Sequence, residues 1–154
     1  MKNELQGLHP VMLERAKKFL ALARQEAVVK ITSTYRSPDL QKAIWMQGRY
    51  SLDEVNAVRQ RIGLQAITQQ DNVKVTNSRP GYSYHNYGLA FDCIFFVNNI
   101  QVKSKKHPLW KQVAEWAKEA DLFWGGNFKE LFDGGHFQYP HITIKDLLAG
   151  KMPK

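Results

Sequence analysis

The longest predicted strand of the chain lies in residues 83–103, which read SYHNYGLAFDCIFFVNNIQVK. Residues 89–97 are almost entirely apolar or aromatic, a composition that predicts a buried β-strand. The dipeptide Asn98-Asn99 is typical of a two-residue hairpin turn, and residues 100–103 supply a returning strand. We therefore predict an antiparallel hairpin in the middle of the chain, with His85 just before its first strand.

Helices and further strands are predicted on both sides of this hairpin. Apolar residues recur every three or four positions in the helical segments, and Ser51 with Glu54 forms a capping box at the start of one helix. Residues 64–83 show no period and predict a long loop, which is either functional or disordered. The predicted helices cover residues 10–27, 38–47, 51–63, 108–120 and 144–148, and the further strands cover residues 28–35 and 136–139. Elements in this order predict an α+β fold with a central, mainly antiparallel sheet flanked by helices.

Length and composition indicate one small globular domain. The chain has 154 residues, of which 44% are hydrophobic, and is expected to fold as a single domain over residues 1–154. It has no apolar run long enough to span a membrane, and its first residues lack the apolar run of a secretory signal, so we expect synthesis to end in the cytoplasm. The single cysteine, Cys93, excludes an internal disulfide and a thiolate-rich zinc site. A metal would therefore need histidine and carboxylate ligands.

The chain carries an excess of positive charge. It has 22 Lys and Arg residues against 14 Asp and Glu residues, which gives a formal net charge of +8. A basic surface attracts any polyanion, including a nucleic acid, anionic lipid head groups or a bacterial wall, and it is equally typical of a plain solvated face. No helix-turn-helix, zinc-finger or aromatic RNA-binding pattern accompanies the charge. A nucleic-acid partner is therefore not expected.

One carboxylate interrupts the predicted central strand. Asp92 lies between Phe91 and Cys93 in an otherwise apolar run, seven residues after His85. Burying an unpaired charge costs roughly several kcal/mol, so another group must compensate Asp92. A bound metal and an arginine partner both satisfy this requirement.

A second histidine favours the metal. His136 follows a Gly-Gly bend, and Asp133 lies three residues before it. Two histidines and one carboxylate would give three protein ligands and leave a fourth position open, as in catalytic zinc sites. Asp133 would then be placed to take a proton from the attacking water and pass it to the leaving amine, which is the chemistry of amide hydrolysis. The bare spacings also recur by chance, and the remaining histidines, His9, His107 and His141, fit surface or capping roles.

Residues 83–92 carry a resemblance to a known family. They contain all five fixed positions of the SxHxxGxAxD signature of the M15 zinc peptidases, which include lysostaphin-related enzymes, D-alanyl-D-alanine carboxypeptidases and L-alanyl-D-glutamate endopeptidases. The segments STYRSPDLQ, VTNSRPGYSYHNYGLAFD, WGGNF and DGGHF look most like the L-alanyl-D-glutamate branch, which includes phage endolysins and bacterial wall peptidases. The resemblance covers roughly residues 28–140 and implies the fold shared by hedgehog proteins and D,D-peptidases.

The resemblance implies a set of metal ligands and a general base. Carried over residue by residue, it implies that His85, Asp92 and His136 bind one Zn²⁺ per chain and that Asp133 is the general base. Many relatives have glutamate at the base position, and the side chain of Asp133 is one methylene shorter. Glu130 is the alternative base, although it lies six residues before His136.

Four further residues are implied to serve the substrate. Arg36, in the segment YRS, is implied to hold a substrate carboxylate or the developing oxyanion, which suits a cation that donates two parallel hydrogen bonds. Ser83 is implied to contact the substrate. Trp124 would line the cleft or pack in the core, and Gln41 would support Arg36 in substrate binding or lie on the surface.

These residues predict a function. We expect a zinc-dependent peptidoglycan endopeptidase that hydrolyses the L-Ala to D-Glu bond of the stem peptide, acting as a monomeric phage endolysin made in the host cytoplasm and released by a holin or by lysis. The alternatives are a D-alanyl-D-alanine carboxypeptidase and a non-catalytic, zinc-stabilised wall-binding module like hedgehog-type relatives. A cysteine peptidase is disfavoured, because the neighbours of Cys93 predict a buried, small apolar side chain.

Overall fold

The computed structural model describes residues 3–154 and has an α+β fold, which confirms the predicted class. Single turns of 3₁₀-helix cover Gln69–Asp71, Tyr84–Tyr87 and Gly125–Asn127. No helix in residues 3–154 combines the length and apolar character needed to cross a membrane. The helices are α1 (Pro10–Ala23), α2 (Pro38–Met46), α3 (Leu52–Arg61), α4 (Leu109–Glu119) and α5 (Ile144–Leu148), and the strands are β1 (Val28–Ser33), β2 (Ala90–Val97), β3 (Ile100–Gln101), β4 (Phe123–Trp124) and β5 (His136–Gln138).

The sheet is antiparallel and is built around β2. The strand order is β1-β2-β5-β4, and β3 also pairs with β2. The predicted hairpin between β2 and β3 is confirmed: Asn98 and Asn99 have φ angles of 53° and 64°, the left-handed conformation that a type I′ turn requires. In the ladder, Asp92 lies opposite Ser33 on one side and opposite His136 on the other. Strand pairing therefore brings Asp92 and His136 together.

The predicted elements are correct in kind, but several are too long. α1 ends at Ala23 rather than at residue 27, because residues 24–27 form turn hydrogen bonds to the preceding residues before β1 begins. β1 ends at Ser33, after a shift in register that interrupts its ladder with β2. The sequence pattern does not predict β4, since two residues are too few for an alternation to show.

One face of the sheet packs against α1 and α4 to form the main core. Phe91 of β2, Phe137 of β5 and Phe19 of α1 are fully buried there. The ring centroids of Phe19 and Phe137 lie 4.3 Å apart, and Phe91 stacks on Phe137 at 5.1 Å. Because side chains alternate along a strand, Asp92 and His136 point to the opposite face. The aromatic layer thus fixes the two strands that present these polar side chains.

A second, smaller cluster joins α2 to α3, and the long loop packs beside it. The loop covering residues 64–83 contains one turn of 3₁₀-helix and is otherwise irregular, as predicted. Several side-chain hydrogen bonds bind it to the residues around the end of α2; for example, Asn72 Oδ1 accepts from the N–H of Gly48 at 2.8 Å, and Arg49 donates to the carbonyl of Thr76 at 3.0 Å. The buried members of the cluster are Ala43, Met46, Val55 and Val58.

A glycine turns the chain from the second 3₁₀ turn into β2. Gly88 has a φ angle of +69°, and a Cβ atom there would lie 2.7 Å from the carbonyl oxygen of Gly7 and 2.9 Å from the nitrogen of His9. The carbonyl of Gly88 accepts a hydrogen bond from the N–H of His9 at 2.9 Å. Only glycine fits this conformation and this close approach. Gly88 thus lets the turn that contains His85 end in close contact with the residues just before α1.

Candidate active site

His85 reaches the site from the 3₁₀ turn Tyr84–Tyr87. Ser83 caps this turn, since its Oγ accepts a hydrogen bond from the N–H of His85 at 3.3 Å. The side chain of His85 is buried, and its Nδ1 lies 2.7 Å from the carbonyl oxygen of Thr34. A carbonyl only accepts, so Nδ1 donates to it and Nε2 is the nitrogen that faces Asp92, 3.1 Å from Oδ2.

Asp92 and His136 face each other across β2 and β5. Nδ1 of His136 lies 3.0 Å from Oδ1 of Asp92. Burial raises the pKa of the Asp92 carboxyl, but its contacts with His136 and His85 outweigh burial and hold that pKa well below its ordinary value. Burial lowers the pKa of His136, and the Asp92 carboxylate outweighs this effect and raises it. Asp92 is therefore an ionised carboxylate between two imidazole rings.

Arg36 places a positive charge beside Asp92. It lies between β1 and α2, and its N–H donates to the carbonyl of His85 at 2.9 Å. Its Nη2 lies 3.6 Å from Oδ2 of Asp92. Burial lowers the pKa of Arg36 and Asp92 opposes that shift, so the guanidinium stays charged. The partly buried carboxylate of Asp92 therefore has the arginine partner that one explanation predicts, and it also faces the two histidines that the metal explanation requires.

Gln41 fixes the side chain of Arg36. It lies on α2 with no exposed surface, which makes the surface alternative for this residue wrong. Its Oε1 accepts from Nη1 of Arg36 at 3.0 Å and from Nδ2 of Asn86 at 3.4 Å, and its Nε2 donates to the carbonyl of Ser78 at 2.7 Å. Because Gln41 is buried, its influence on a substrate would pass through Arg36.

Replacement of Gln41 by leucine should destabilise the fold. The substitution leaves the amide of Asn86 and the carbonyl of Ser78 without this partner, and an unsatisfied buried polar group costs about 1–3 kcal/mol. Denaturant unfolding measures the change in the free energy of unfolding. The matched control is Gln112→Leu on α4, which is exposed and should change that free energy by less than about 0.5 kcal/mol. Equal effects of the two substitutions would contradict the assigned role of Gln41.

Asp133 lies on the loop that leads into β5. Its N–H donates to the carbonyl of Gly125 at 3.1 Å, and its own carbonyl accepts from the N–H of His136 at 3.2 Å. Asp133 is an exposed residue, but desolvation beside the site still raises the pKa of its carboxyl; His136 opposes this effect and Asp92 adds to it. A carboxylate with a raised pKa is a better proton acceptor near neutral pH. Glu130, the alternative base, lies on the same loop and is exposed, as Asp133 is.

Trp124 packs in the core rather than lining a cleft. It is buried, and its ring lies 6.0 Å from that of Trp110 and 5.9 Å from that of Phe132. Its Nε1 donates to the carbonyl of Gly134 at 2.8 Å. This corrects its assignment to substrate binding: the residue supports the Gly-Gly bend between Asp133 and β5 from inside the protein.

Two side-chain amides and one aromatic ring of the site are not predicted from the sequence. Asn86 donates to the carbonyl of Arg36 at 2.9 Å and accepts from the N–H of Gly81. Gln138 Oε1 lies 2.8 Å from Nε2 of His136, and the ring of Phe128 lies 5.5 Å from the ring of His136. Asn86 occupies a variable position of the signature. The alternation of β5, which places Gln138 on the same face as His136, is the one signal that could have found an amide here.

Cys93 lies outside this site. It is buried on the face of β2 opposite to Asp92, and its N–H donates to the carbonyl of Gly135 at 2.9 Å. Burial raises the pKa of the Cys93 thiol far above its ordinary value, and Asp92 adds to this effect. The thiolate, which is the nucleophilic form, is therefore not available at neutral pH.

Replacement of Cys93 by alanine should leave activity within a few-fold of the wild type. Its side chain contributes packing in the main core and takes no part in the polar cluster. The measurement is kcat/KM on wall fragments, with circular dichroism to verify folding. A loss of more than about 100-fold in a folded variant, as removal of a nucleophile would cause, would restore the thiol hypothesis.

The donor set of His85, Asp92 and His136 fits a zinc ion. One ligand atom from each of these residues lies within 4.8 Å of the other two. Zinc bonds of about 2.0–2.2 Å in a tetrahedron separate the ligand atoms by roughly 3.3 Å, and the two histidine nitrogens lie 3.1 Å and 3.0 Å from the oxygens of Asp92. The second nitrogen of each ring meets an acceptor oxygen, of Thr34 or Gln138, as is usual for metal-ligating histidines. Three protein ligands would leave the fourth position to water or substrate.

Comparison with known proteins agrees with this site. Residues 76–139 match the M15 peptidase family model described as D-alanyl-D-alanine carboxypeptidase. The chain is 31% identical over 146 residues to the peptidoglycan L-alanyl-D-glutamate endopeptidase CwlK of Bacillus subtilis (strain 168), a match that covers 89% of this chain and 73% of CwlK.

Two solved structures have a similar fold. The Serratia marcescens L-Ala D-Glu endopeptidase ChiX has a TM-score of 0.51 at 20% identity, covering 89% of this chain and 84% of ChiX. VanYB in complex with D-alanine-D-alanine has a TM-score of 0.53 at 17% identity, covering 92% of this chain and 75% of VanYB. The fold and the two-histidine, one-carboxylate cluster define a metallopeptidase. The chain belongs to the M15 family of zinc peptidases.

Proposed function

We propose that this chain is a zinc-dependent peptidoglycan endopeptidase that hydrolyses the L-Ala to D-Glu bond of the stem peptide. The observation that carries the proposal is the cluster itself: His85, Asp92 and His136 converge, with the guanidinium of Arg36 3.6 Å from Asp92 and the backbone of Asp133 hydrogen-bonded to that of His136. The 31% identity to CwlK supports the choice of bond. The net charge of +8 supports an anionic polymer as substrate, because it favours approach to a bacterial wall.

The residues of the site divide the work of amide hydrolysis. His85, Asp92 and His136 would hold the zinc, which when bound lowers the pKa of a water to about 7 and polarises a carbonyl oxygen. Asp133 takes a proton from the attacking water and transfers it to the leaving amine. Arg36 holds a substrate carboxylate or the developing oxyanion, since its guanidinium is a cation that donates parallel hydrogen bonds. Gln41 keeps this guanidinium in one orientation.

The proposal extends to a monomeric endolysin with one zinc per chain, made in the host cytoplasm and released to the wall. The three ligand residues, Asp133 and Arg36 all come from one chain, which supports an enzyme that is complete as a monomer. Purified protein added to bacterial cells with an exposed wall should lyse them, and the Asp133→Asn variant should not. Sedimentation of the active protein as a dimer would contradict the monomer.

A stem pentapeptide attached to muramic acid and ending in D-Ala-D-Ala distinguishes the candidate activities. We expect cleavage to leave L-Ala on the muramic acid and to expose the amino terminus of D-Glu, which mass spectrometry identifies. The Asp133→Asn variant serves as the negative control. Release of free D-Ala with an intact L-Ala to D-Glu bond would contradict the proposal.

The second candidate function is a D-alanyl-D-alanine carboxypeptidase. The match of residues 76–139 to the family model of that description favours it, and Arg36 would suit the terminal carboxylate of such a substrate. The pentapeptide assay separates the two activities, since only the carboxypeptidase releases free D-Ala.

A further inference from the structure

Gln138 is the side chain that follows His136 on the same face of β5. Its Oε1 lies 2.8 Å from Nε2 of His136. The corresponding acceptor for the other histidine is the backbone carbonyl of Thr34, 2.7 Å from Nδ1 of His85. Each ring thus directs one nitrogen to the carboxylate of Asp92 and the other to an acceptor oxygen outside the cluster, that of Thr34 for His85 and that of Gln138 for His136. Of these two oxygens, only the one on Gln138 can be removed by substitution.

We propose that Gln138 is a positioning residue of the metal centre: its Oε1 accepts the Nε2–H of His136 and so leaves the lone pair of Nδ1 free for the cation. The inference rests on the zinc site proposed above. It assigns Gln138 an effect on metal affinity through His136, with no contact between Gln138 and the metal.

The choice of proton position explains this effect. A neutral imidazole has one nitrogen that carries a proton and donates, and one that has a free lone pair and accepts. An acceptor oxygen next to one nitrogen keeps the proton on that nitrogen. With an acceptor at Nε2, His136 carries its proton there. Without that acceptor, the ring can place the proton on Nδ1 and donate it to Oδ1 of Asp92, 3.0 Å away. That form has no lone pair on Nδ1 for a metal, so Gln138 favours the form that binds.

The sheet holds Gln138 in place. Gln138 lies in the ladder between Ala90 of β2 and Phe123 of β4. The ring of His136 therefore has Asp92 at Nδ1, Gln138 at Nε2 and the ring of Phe128 at a centroid distance of 5.5 Å. Supporting contacts built on strands hold a ligand more accurately than contacts built on loops.

The test is the zinc dissociation constant of the 154-residue protein, measured by competition with a chromophoric chelator. We expect Gln138→Met, which keeps the length of the side chain and removes the acceptor, to weaken zinc binding about 10–100-fold, as loss of such partners usually does. Gln138→Glu keeps an acceptor and should bind zinc at least as tightly as the wild type. Gln112→Leu, at an exposed position of α4, should leave the dissociation constant unchanged.

Two results would overturn the inference while leaving the zinc site intact. One is equal zinc affinity in the wild type and Gln138→Met; the other is equal weakening in Gln138→Met and Gln138→Glu, which would indicate a packing role. Failure of the wild type to bind zinc would overturn the proposed metal centre together with this inference. The unfolding transitions of the zinc-free variants verify that each protein is folded.

Discussion

Replacement of Asp133 by asparagine should lower kcat for cleavage of the stem peptide by about 10²–10⁴-fold, the usual contribution of a general acid–base residue. Asparagine keeps the size of the side chain but cannot accept the proton of the attacking water. The backbone contacts of Asp133 with Gly125 and His136 do not depend on its side chain, so the fold and the zinc content should remain those of the wild type. Steady-state kinetics and metal analysis of the same preparation make the measurement.

Two further variants sharpen this prediction. Asp133→Glu keeps the carboxylate and adds one methylene, so it should retain more activity than Asp133→Asn. Glu130→Gln is the matched control, because Glu130 is an exposed carboxylate on the same loop. It should retain wild-type kcat. A large loss in Glu130→Gln combined with little change in Asp133→Asn would transfer the role of base to Glu130.

Replacement of Asp92 by asparagine should abolish both zinc binding and activity. Asp92 faces His85 at 3.1 Å and His136 at 3.0 Å, so the substitution removes the only negative charge among the three proposed ligands. Zinc affinity should fall by more than the roughly 10–100-fold that follows loss of a supporting partner. Cleavage should fall to background, because the metal and the orientation of both histidines are affected together.

Asp121→Asn is the matched control for Asp92→Asn, because it also removes an ion-paired carboxylate, but one outside the proposed metal site. Asp121 pairs with Arg15 and His141 on the surface, away from the cluster. Its substitution should leave zinc content and kcat unchanged. If Asp92→Asn binds zinc as tightly as the wild type, Asp92 is not a ligand, and it would serve only as the polar partner of Arg36, His85 and His136.

The local parts of the site are predictable from sequence. His85, Gly88 and Asp92 lie within one short segment, where the strand can be read from its composition and from the hairpin turn that follows it. Asp92 also indicates a polar site, since a carboxylate in an apolar strand requires a partner. His136 and Asp133 can also be picked out as a possible ligand and base, but their spacing recurs by chance, and the resemblance to a family is what implies their roles.

The parts that depend on tertiary packing are not predictable in this way. The pairing of β2 with β5 brings His136 to Asp92, and β5 is only three residues long, which is too short to fix a register from its pattern. The burial of Gln41 depends on how α2 meets the long loop, and that of Trp124 depends on its stacking with Trp110. Helix and strand ends shift for the same reason, because hydrogen bonds at the ends compete with the apolar pattern.

Metal analysis combined with identification of new amino termini, on one preparation of the wild-type protein, tests the account most directly. We predict about one zinc per chain, and new amino-terminal D-Glu in digested peptidoglycan that disappears when a chelator removes the metal and returns when zinc is restored. Bound zinc without any new termini would indicate a non-catalytic wall-binding module. Cleavage that persists in the metal-free protein would contradict the assignment of His85, Asp92 and His136 as the centre of a zinc peptidase.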